Sequence, residues 1–366
     1  MFSNCIQVKG YNRSIICDLQ KEDYFLIPNS LYDFFNGDIF ELNLNNKYLD
    51  DEKTTINQYI SFLLEKNLIF EINENEIELF PKLDLTWDYP STISNAIFDI
   101  NNNEFNWEKI IKQLTAIQCY HIQVRSYSFL DFEQIKEICN IIFSSMIFSI
   151  EFIVPYNNKI ENQNWMVLIE NFPKIRNVIF YGSERNEIIH SANNGFSGVY
   201  KVISTIKSEM NCGNIQSEYF SVNIPTFTES NNYNTCLNRK ISIDSEGNIK
   251  NCPSCSNSFG NIKNTTLAEA IEKPGFKDMW YITKDKIDVC KDCEFRHICT
   301  DCRVFIKDPE NIYSQPAKCT YNPYIAKWQN EEGYVSVEEC GNYSRETGFV
   351  PNKRKINKLN KEIWGE

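Results

Sequence analysis

Eight of the chain's fourteen cysteines fall between residues 236 and 319 of 366: Cys236, Cys252, Cys255, Cys290, Cys293, Cys299, Cys302 and Cys319. The thiolate form of cysteine is a strong metal ligand. In the run CKDCEFRHICTDC, Cys290 and Cys293 form one Cys-X2-Cys loop, and Cys299 and Cys302 form another. Such a loop turns two thiolates toward one centre while its backbone amides face the sulfurs. Two loops plus Cys236, Cys252 and Cys319 exceed what one four-coordinate site uses, so at least two metal sites follow. Tetrahedral thiolate suits zinc and iron–sulfur clusters alike, and spacing by itself leaves both open. His297 lies inside the second knuckle, but among so many cysteines it reads as a solvent-facing or supporting residue rather than a ligand.

The rest of the sequence sets the context for these thiols. MFSNCIQVKG carries no basic leader followed by an apolar run, so a cytoplasmic protein is expected, in which clustered cysteines mean metal rather than disulfides. The stretch from Ile138 to Tyr156 is interrupted by Asn140, Ser144, Ser145, Ser149, Glu151 and Pro155. It reads as a core helix and a buried strand, and no membrane partner is expected. A formal net charge of -12 argues against nucleic acid. Cys5, Cys17, Cys119, Cys139 and Cys340 are isolated and read as ordinary core or surface thiols.

The elements that would position the cysteines divide into four segments, 1–84, 85–230, 231–330 and 331–366. In the first, short strands are predicted at Cys5 to Lys9, Ser14 to Leu19 and Tyr24 to Pro28. Ser30 would cap a helix to Phe35, and Thr54 or Thr55 a second helix carrying Ile56, Tyr59, Ile60, Leu63 and Leu64. Leu68 to Ile72 and Ile77 to Phe80 suggest a hairpin, which completes a winged-helix-like module. The second segment alternates strands with helices, an α/β pattern of parallel pairing. Its strands are Ile93 to Ile100, His121 to Arg125, Ser149 to Val154, Asn177 to Tyr181 and Tyr219 to Ile224. Its helices are Trp107 to Ile117, Phe132 to Phe143, Asn164 to Asn171 and Val199 to Met210.

The third segment is poor in long apolar runs and is expected to be organised by metal. Ile241, Ile243 and Ile249 flank a turn at Ser245, Glu246 and Gly247, a hairpin that would bring Cys236 and Cys252 together. A short helix is predicted from Leu267 to Ile271. In the tail, Lys353, Arg354, Lys355, Lys358 and Lys361 gather before Trp364, either as a solvated helix face or as a docking helix.

The order Cys-X10-Gly-X4-Cys, then Cys-X2-Cys-X5-Cys-X2-Cys, then the lone Cys319 resembles the seven-cysteine SPASM domain of peptide-modifying radical SAM proteins. The resemblance implies two auxiliary [4Fe-4S] clusters, with zinc as the alternative. Cys290, Cys293, Cys299 and Cys319 would hold one, and Cys236, Cys252 and Cys302 the other. Two departures stand out: the last knuckle spacing is X2 where the family usually has X3, and the ligand that normally precedes the hairpin is missing. Cys255 and Cys212 are the candidates to replace it, with an open iron as the alternative. The middle segment resembles the family's partial (β/α) barrel in degenerate form. The residues after FDI are NNNEFNW, without the three-cysteine loop, and HIQVRSYSFL lacks the Gly-Gly-Glu-Pro motif. No S-adenosylmethionine is therefore expected, and no catalytic residue declares itself.

The opening NCIQVKGYNRSIICDLQ, continuing into YFLIP, with the degenerate barrel and the cysteine-rich end, is similar to SPASM-domain maturation proteins of grasp-with-spasm peptide systems. That similarity implies a ribosomal precursor peptide and an ATP-grasp ligase as partners, with segment 1–84 receiving the leader as an added strand. Residues 1–80 hold six Lys or Arg against fourteen Asp or Glu, which disfavours the DNA-binding alternative.

Overall fold

The computed structural model describes residues 1–35, 50–101, 105–159, 162–191 and 197–365, without the side chains of 50, 51, 190 and 191. The chain forms two compact units, each assembled from separated stretches. The first joins 1–87, 214–235 and 281–366, and the second joins 88–213 and 236–280.

The first unit begins with β1 (Cys5–Lys9), β2 (Ser14–Asp18) and β3 (Asp23–Ile27), an antiparallel sheet in the order β1-β2-β3. β2 is buried along its whole length, and β1 and β3 are the sheet's edges. Helices α1 (Asn29–Phe34) and α2 (Asp50–Glu65) follow, and Leu31 and Leu63 pack with Ile16, Ile27 and Leu68. Both helices start earlier than predicted. Ser30 is no cap; its hydroxyl meets that of Tyr59 at 2.6 Å.

The hairpin predicted over residues 68–80 does not form. Asn73 and Glu76 close a reciprocal capping box, the Asn73 amide donating to Glu76 Oε2 at 2.8 Å, and the chain turns into a 3-10 helix over Glu74–Leu79. A local side-chain bond to the backbone competes with a strand ladder, and here it wins.

The second unit is built on β4 (Asn95–Ile100), α3 (Trp107–Ala116), β5 (His121–Ser126), α4 (Phe132–Phe143), β6 (Ser149–Pro155), α5 (Asn162–Asn171), β7 (Ile175–Tyr181), β8 (Glu187–Ser191) and β9 (Gly198–Val202). The α/β alternation is as expected up to β7. Strands β4, β5, β6, β7 and β9 run parallel in that order, without the reversal of a doubly wound sheet. Ala96, Phe98, Val124, Phe152, Val178 and Phe180 point to one face and are buried with Ile110, Leu114, Ile138 and Leu168 of the helices. Each of the larger side chains, Ala96 apart, contributes about 1.5–3 kcal/mol on burial. The alternate positions mix Ile97, Ile153 and Ile179 with polar residues that bond across strands: Gln123 donates to Glu151 at 2.6 Å, and Asn177 to Glu151 at 3.0 Å.

The helix predicted from Val199 is instead strand β9, paired with β7 on one side and antiparallel β8 on the other. Its β-branched residues satisfy the pleat once two neighbours are present, which a local pattern does not reveal.

The chain then returns to the first unit through α6 (Ile224–Asn232). The strand predicted from Tyr219 is absent, because Asn223 caps α6 by accepting from the Thr226 amide at 2.9 Å, with Pro225 in the first turn. Asn followed closely by Pro is a helix-start signal that outweighs the apolar run before it.

Back in the second unit, β10 (Lys240–Ile243) pairs in parallel with β4 and antiparallel with β11 (Ile249–Lys250), and α7 (Leu267–Ile271) follows. The predicted cysteine hairpin is therefore the edge of the eight-stranded sheet. The first unit ends with two small hairpins, β12 (Tyr321–Asn322) with β13 (Lys327–Trp328) and β14 (Gly341–Ser344) with β15 (Gly348–Pro351), and then α8 (Lys353–Trp364). α8 packs Ile356, Leu359 and Ile363 onto a core with Tyr324 and Val337, while its five basic residues are exposed. Among the described residues, no helix is long and apolar enough to cross a membrane.

Candidate metal centres

In the first unit, the cysteine run is held by tight local turns. Cys290 opens a 3-10 turn, and the Cys293 amide closes it by donating to the Cys290 carbonyl at 2.9 Å. The Cys299 amide donates to Phe295 at 2.9 Å. Cys319 arrives on a separate stretch that bridges to Ile215. These four cysteines line one cavity of about 30 Å³, whose other walls include Phe220, Phe295 and Trp328. They are the four that the resemblance assigns to a single cluster.

Burial pushes all four thiols up. Cys290 and Cys293 stand well above the ordinary thiol range, Cys299 is raised to about 12, and Cys319 is raised as well. Uncharged thiols crowded into an apolar pocket are poor nucleophiles, and a bound metal cation reverses this by deprotonating them outright.

The surrounding charges are paired. Glu294, fully buried between Cys293 and Phe295, accepts from Arg13 Nε at 2.7 Å and from the Tyr321 hydroxyl. Burial raises its carboxyl above the usual range, opposed by the Arg13 guanidinium. Arg303 donates to Asp301 at 3.0 Å, and Lys284 donates to the Cys299 carbonyl.

Arg13 belongs to the turn between β1 and β2, and the whole turn is fitted to the cysteine run. The Tyr11 amide donates to Asp292 at 2.7 Å, and Arg296 donates to the Lys9 carbonyl at 2.6 Å. A Cβ on Gly10 would meet the Glu294 nitrogen at 2.8 Å, so only glycine fits there. No local spacing places residues 9–13 beside residues 292–296. His297 is buried rather than solvent-facing: its ring lies on Phe227 and its Nδ1 is 3.3 Å from the Ser230 hydroxyl.

In the second unit, the hairpin forms as predicted. The Asp244 side chain accepts from the amides of Glu246 and Asn248 at 3.0 and 2.9 Å, and Gly247 adopts φ +87. The Cys255 amide donates to the Cys252 carbonyl at 2.9 Å, making a second cysteine turn. Ser254 donates to the Glu209 carbonyl at 3.2 Å, which ties this turn to the segment carrying Cys212.

Lys240, the first residue of β10, reaches Cys236 Sγ at 3.9 Å, and its charge also acts on Cys252 and Cys212. Hydrogen bonding from Cys255 brings the Cys252 thiol down to about 6 against the cost of burial, helped by Lys240 and Arg125. As the donor of that bond, Cys255 is pushed up, and burial adds to the effect. Arg125 is itself tied to buried Asp99 by two bonds of 2.7 and 2.9 Å. Cys302, assigned by resemblance to a centre with Cys236 and Cys252, belongs to the first unit, where it is buried.

Cys5, Cys17, Cys119, Cys139 and Cys340 are all buried, and no disulfide joins the described cysteines. Among the described residues, no three His, Cys, Asp or Glu side chains converge closely enough for one metal ion.

Residues 235–294 match the SPASM model, an iron–sulfur cluster-binding domain. The match supports a relationship to radical SAM/SPASM proteins. It includes Cys236, Cys252, Cys255, Cys290 and Cys293, and stops short of Cys299, Cys302 and Cys319. No curated protein matches the chain.

Proposed function

We propose that the chain is an iron–sulfur SPASM protein that takes part in maturing a ribosomally made peptide, binding the precursor and acting with an ATP-grasp ligase. The observation that carries the cluster assignment is the single cavity lined by Cys290, Cys293, Cys299 and Cys319. Two [4Fe-4S] clusters are assigned, the first held by these four residues. The second draws on Cys236 and Cys252, with Cys255 as the further ligand because its side chain already bonds to Cys252. Once bound, a cluster supplies structural cross-linking and one-electron capacity.

The remaining steps belong to the protein's own residues. Arg13 and Tyr321 hold Glu294 neutralised beside Cys293, so the pocket carries no uncompensated acid against a thiolate-bound centre. The edge strands β1 and β3 are where an extended leader would add as a further strand. The parallel sheet of the second unit is read as a degenerate partial barrel without radical chemistry, since the sequence after β4 has no cysteine triad.

Protein purified without oxygen should carry iron and sulfide in equal amounts, about eight of each per chain if both clusters form as cubanes. Stoichiometric zinc without sulfide would overturn the cluster assignment. Co-expression of precursor and ligase with and without this chain, read by peptide mass, tests the pathway. An unchanged product would remove the maturation role.

A further inference from the structure

Lys240 sits where β10 begins, and its backbone is fixed from two sides. β10 pairs in parallel with β4 at Asn95, and the Lys240 carbonyl accepts from Asn251 at 3.2 Å. The residue keeps some accessible surface, but its ammonium end is enclosed by protein.

A cation taken out of water needs a countercharge. Among the described residues, no carboxylate lies within ion-pairing distance of Lys240; its nearest polar partner is Cys236 Sγ at 3.9 Å, with Cys252 and Cys212 within electrostatic reach. The neighbouring guanidinium of Arg125 is already neutralised by Asp99. The negative charge that Lys240 is placed to meet is therefore sulfur-borne. Around the cavity of the first unit, Arg13 is paired with Glu294, Arg296 with Asp285 and Arg303 with Asp301, while Lys284 donates to the neutral Cys299 carbonyl and its charge acts on Cys299 and Cys319.

We propose that Lys240 is the countercharge of the iron–sulfur centre held by Cys236, Cys252 and Cys255, and that it makes this centre easier to reduce. The inference rests on the cluster reading above. A fixed cation beside cluster sulfurs stabilises the reduced form, which carries one more negative charge, so it raises the reduction potential. Lys240 is a positioning residue in this account, acting through the thiolates.

The test is a dithionite titration of the full chain, purified without oxygen and followed by electron paramagnetic resonance, in wild type, Lys240→Met and Lys240→Arg. Lys240→Met is expected to lower the reduction constant of one centre at least tenfold, about 59 mV for one electron, and to leave the other centre unmoved. Lys240→Arg should restore the wild-type value.

Unchanged midpoints in Lys240→Met with full iron content would overturn the proposal. If Lys240→Met loses one cluster, Lys240→Arg decides. Retention at wild-type potential supports a charge role, and loss of the cluster there too marks a packing role and overturns it. A wild-type protein without iron and sulfide brings down the underlying cluster reading as well, so the two failures are told apart by metal content.

Discussion

The two cysteine sites meet the problem of burying thiols in opposite ways. Around Cys290, Cys293, Cys299 and Cys319 the walls are apolar, Glu294 and Asp301 are each paired with an arginine, Lys284 stands against the Cys299 carbonyl, and burial outweighs its charge and pushes every thiol up. Around Cys236, Cys252 and Cys255 the protein supplies a cation, and Cys252 is brought to about 6 by its hydrogen bond from Cys255 and the charge of Lys240. The first site has a shaped cavity in which the charge of Lys284 offsets only part of the cost of burial. The second carries part of the charge compensation itself. Their surroundings differ to match: the first site stands among short turns and 3-10 helices, whereas the second hangs on the edge of an eight-stranded sheet with a large core.

Removal of metal should break this comparison most visibly. After chelation under reducing conditions, proteolysis is expected to open residues 285–320 while the parallel sheet keeps its hydrogen-exchange protection, because the apolar packing there does not depend on a ligand. Equal loss in both places would show that the sheet, too, depends on metal.

The next largest effect is the cost of orphaning a buried charge. Arg125→Met leaves Asp99 uncompensated and should cost the second unit about 3–5 kcal/mol, and Arg13→Met should do the same to the first through Glu294. Denaturant unfolding followed separately in each unit would show whether each loss stays local.

In metal-free protein at pH 7, iodoacetamide should modify Cys252 about a hundredfold faster than Cys299, since its larger thiolate fraction outweighs its lower intrinsic nucleophilicity. The sign follows from the shifts: Cys252, at about 6, is mostly thiolate above that pH, whereas Cys299, at about 12, remains a thiol. The Cys252 rate should fall as pH drops through 6, read by peptide mass. A Cys252 profile with its midpoint near the ordinary thiol value would refute the pairing with Cys255.

The smallest effect is a control at a helix cap. Asn106 caps α3 by accepting from the Lys109 amide at 2.9 Å, and Asn106→Ala should cost about 1 kcal/mol with no change in thiol reactivity at either site.

Much of this was legible in local spacing. Alternation marked β1 to β7, helical periodicity marked α3 and α4, and the turn glycine at 247 with flanking isoleucines marked the cysteine hairpin. The misreadings at Val199, Tyr219 and residues 68–80 share one cause. In each, an apolar pattern was compatible with two structures, and the choice fell to something outside it: neighbouring strands for β9, the Asn223 cap with Pro225 for α6, and the Asn73–Glu76 capping box for the 3-10 turn.

Local spacing carries the order of the cysteines and the turns that bring near neighbours together, because those depend on residues a few positions apart. Only the tertiary structure decided which distant groups stand beside them. Lys240 faces thiols because β10 registers against β4, and Arg13 reaches Glu294 because Gly10 lets the β1–β2 turn approach the cysteine run. Such neighbours are fixed by strand pairing and close backbone approach across hundreds of residues, and no local spacing records them.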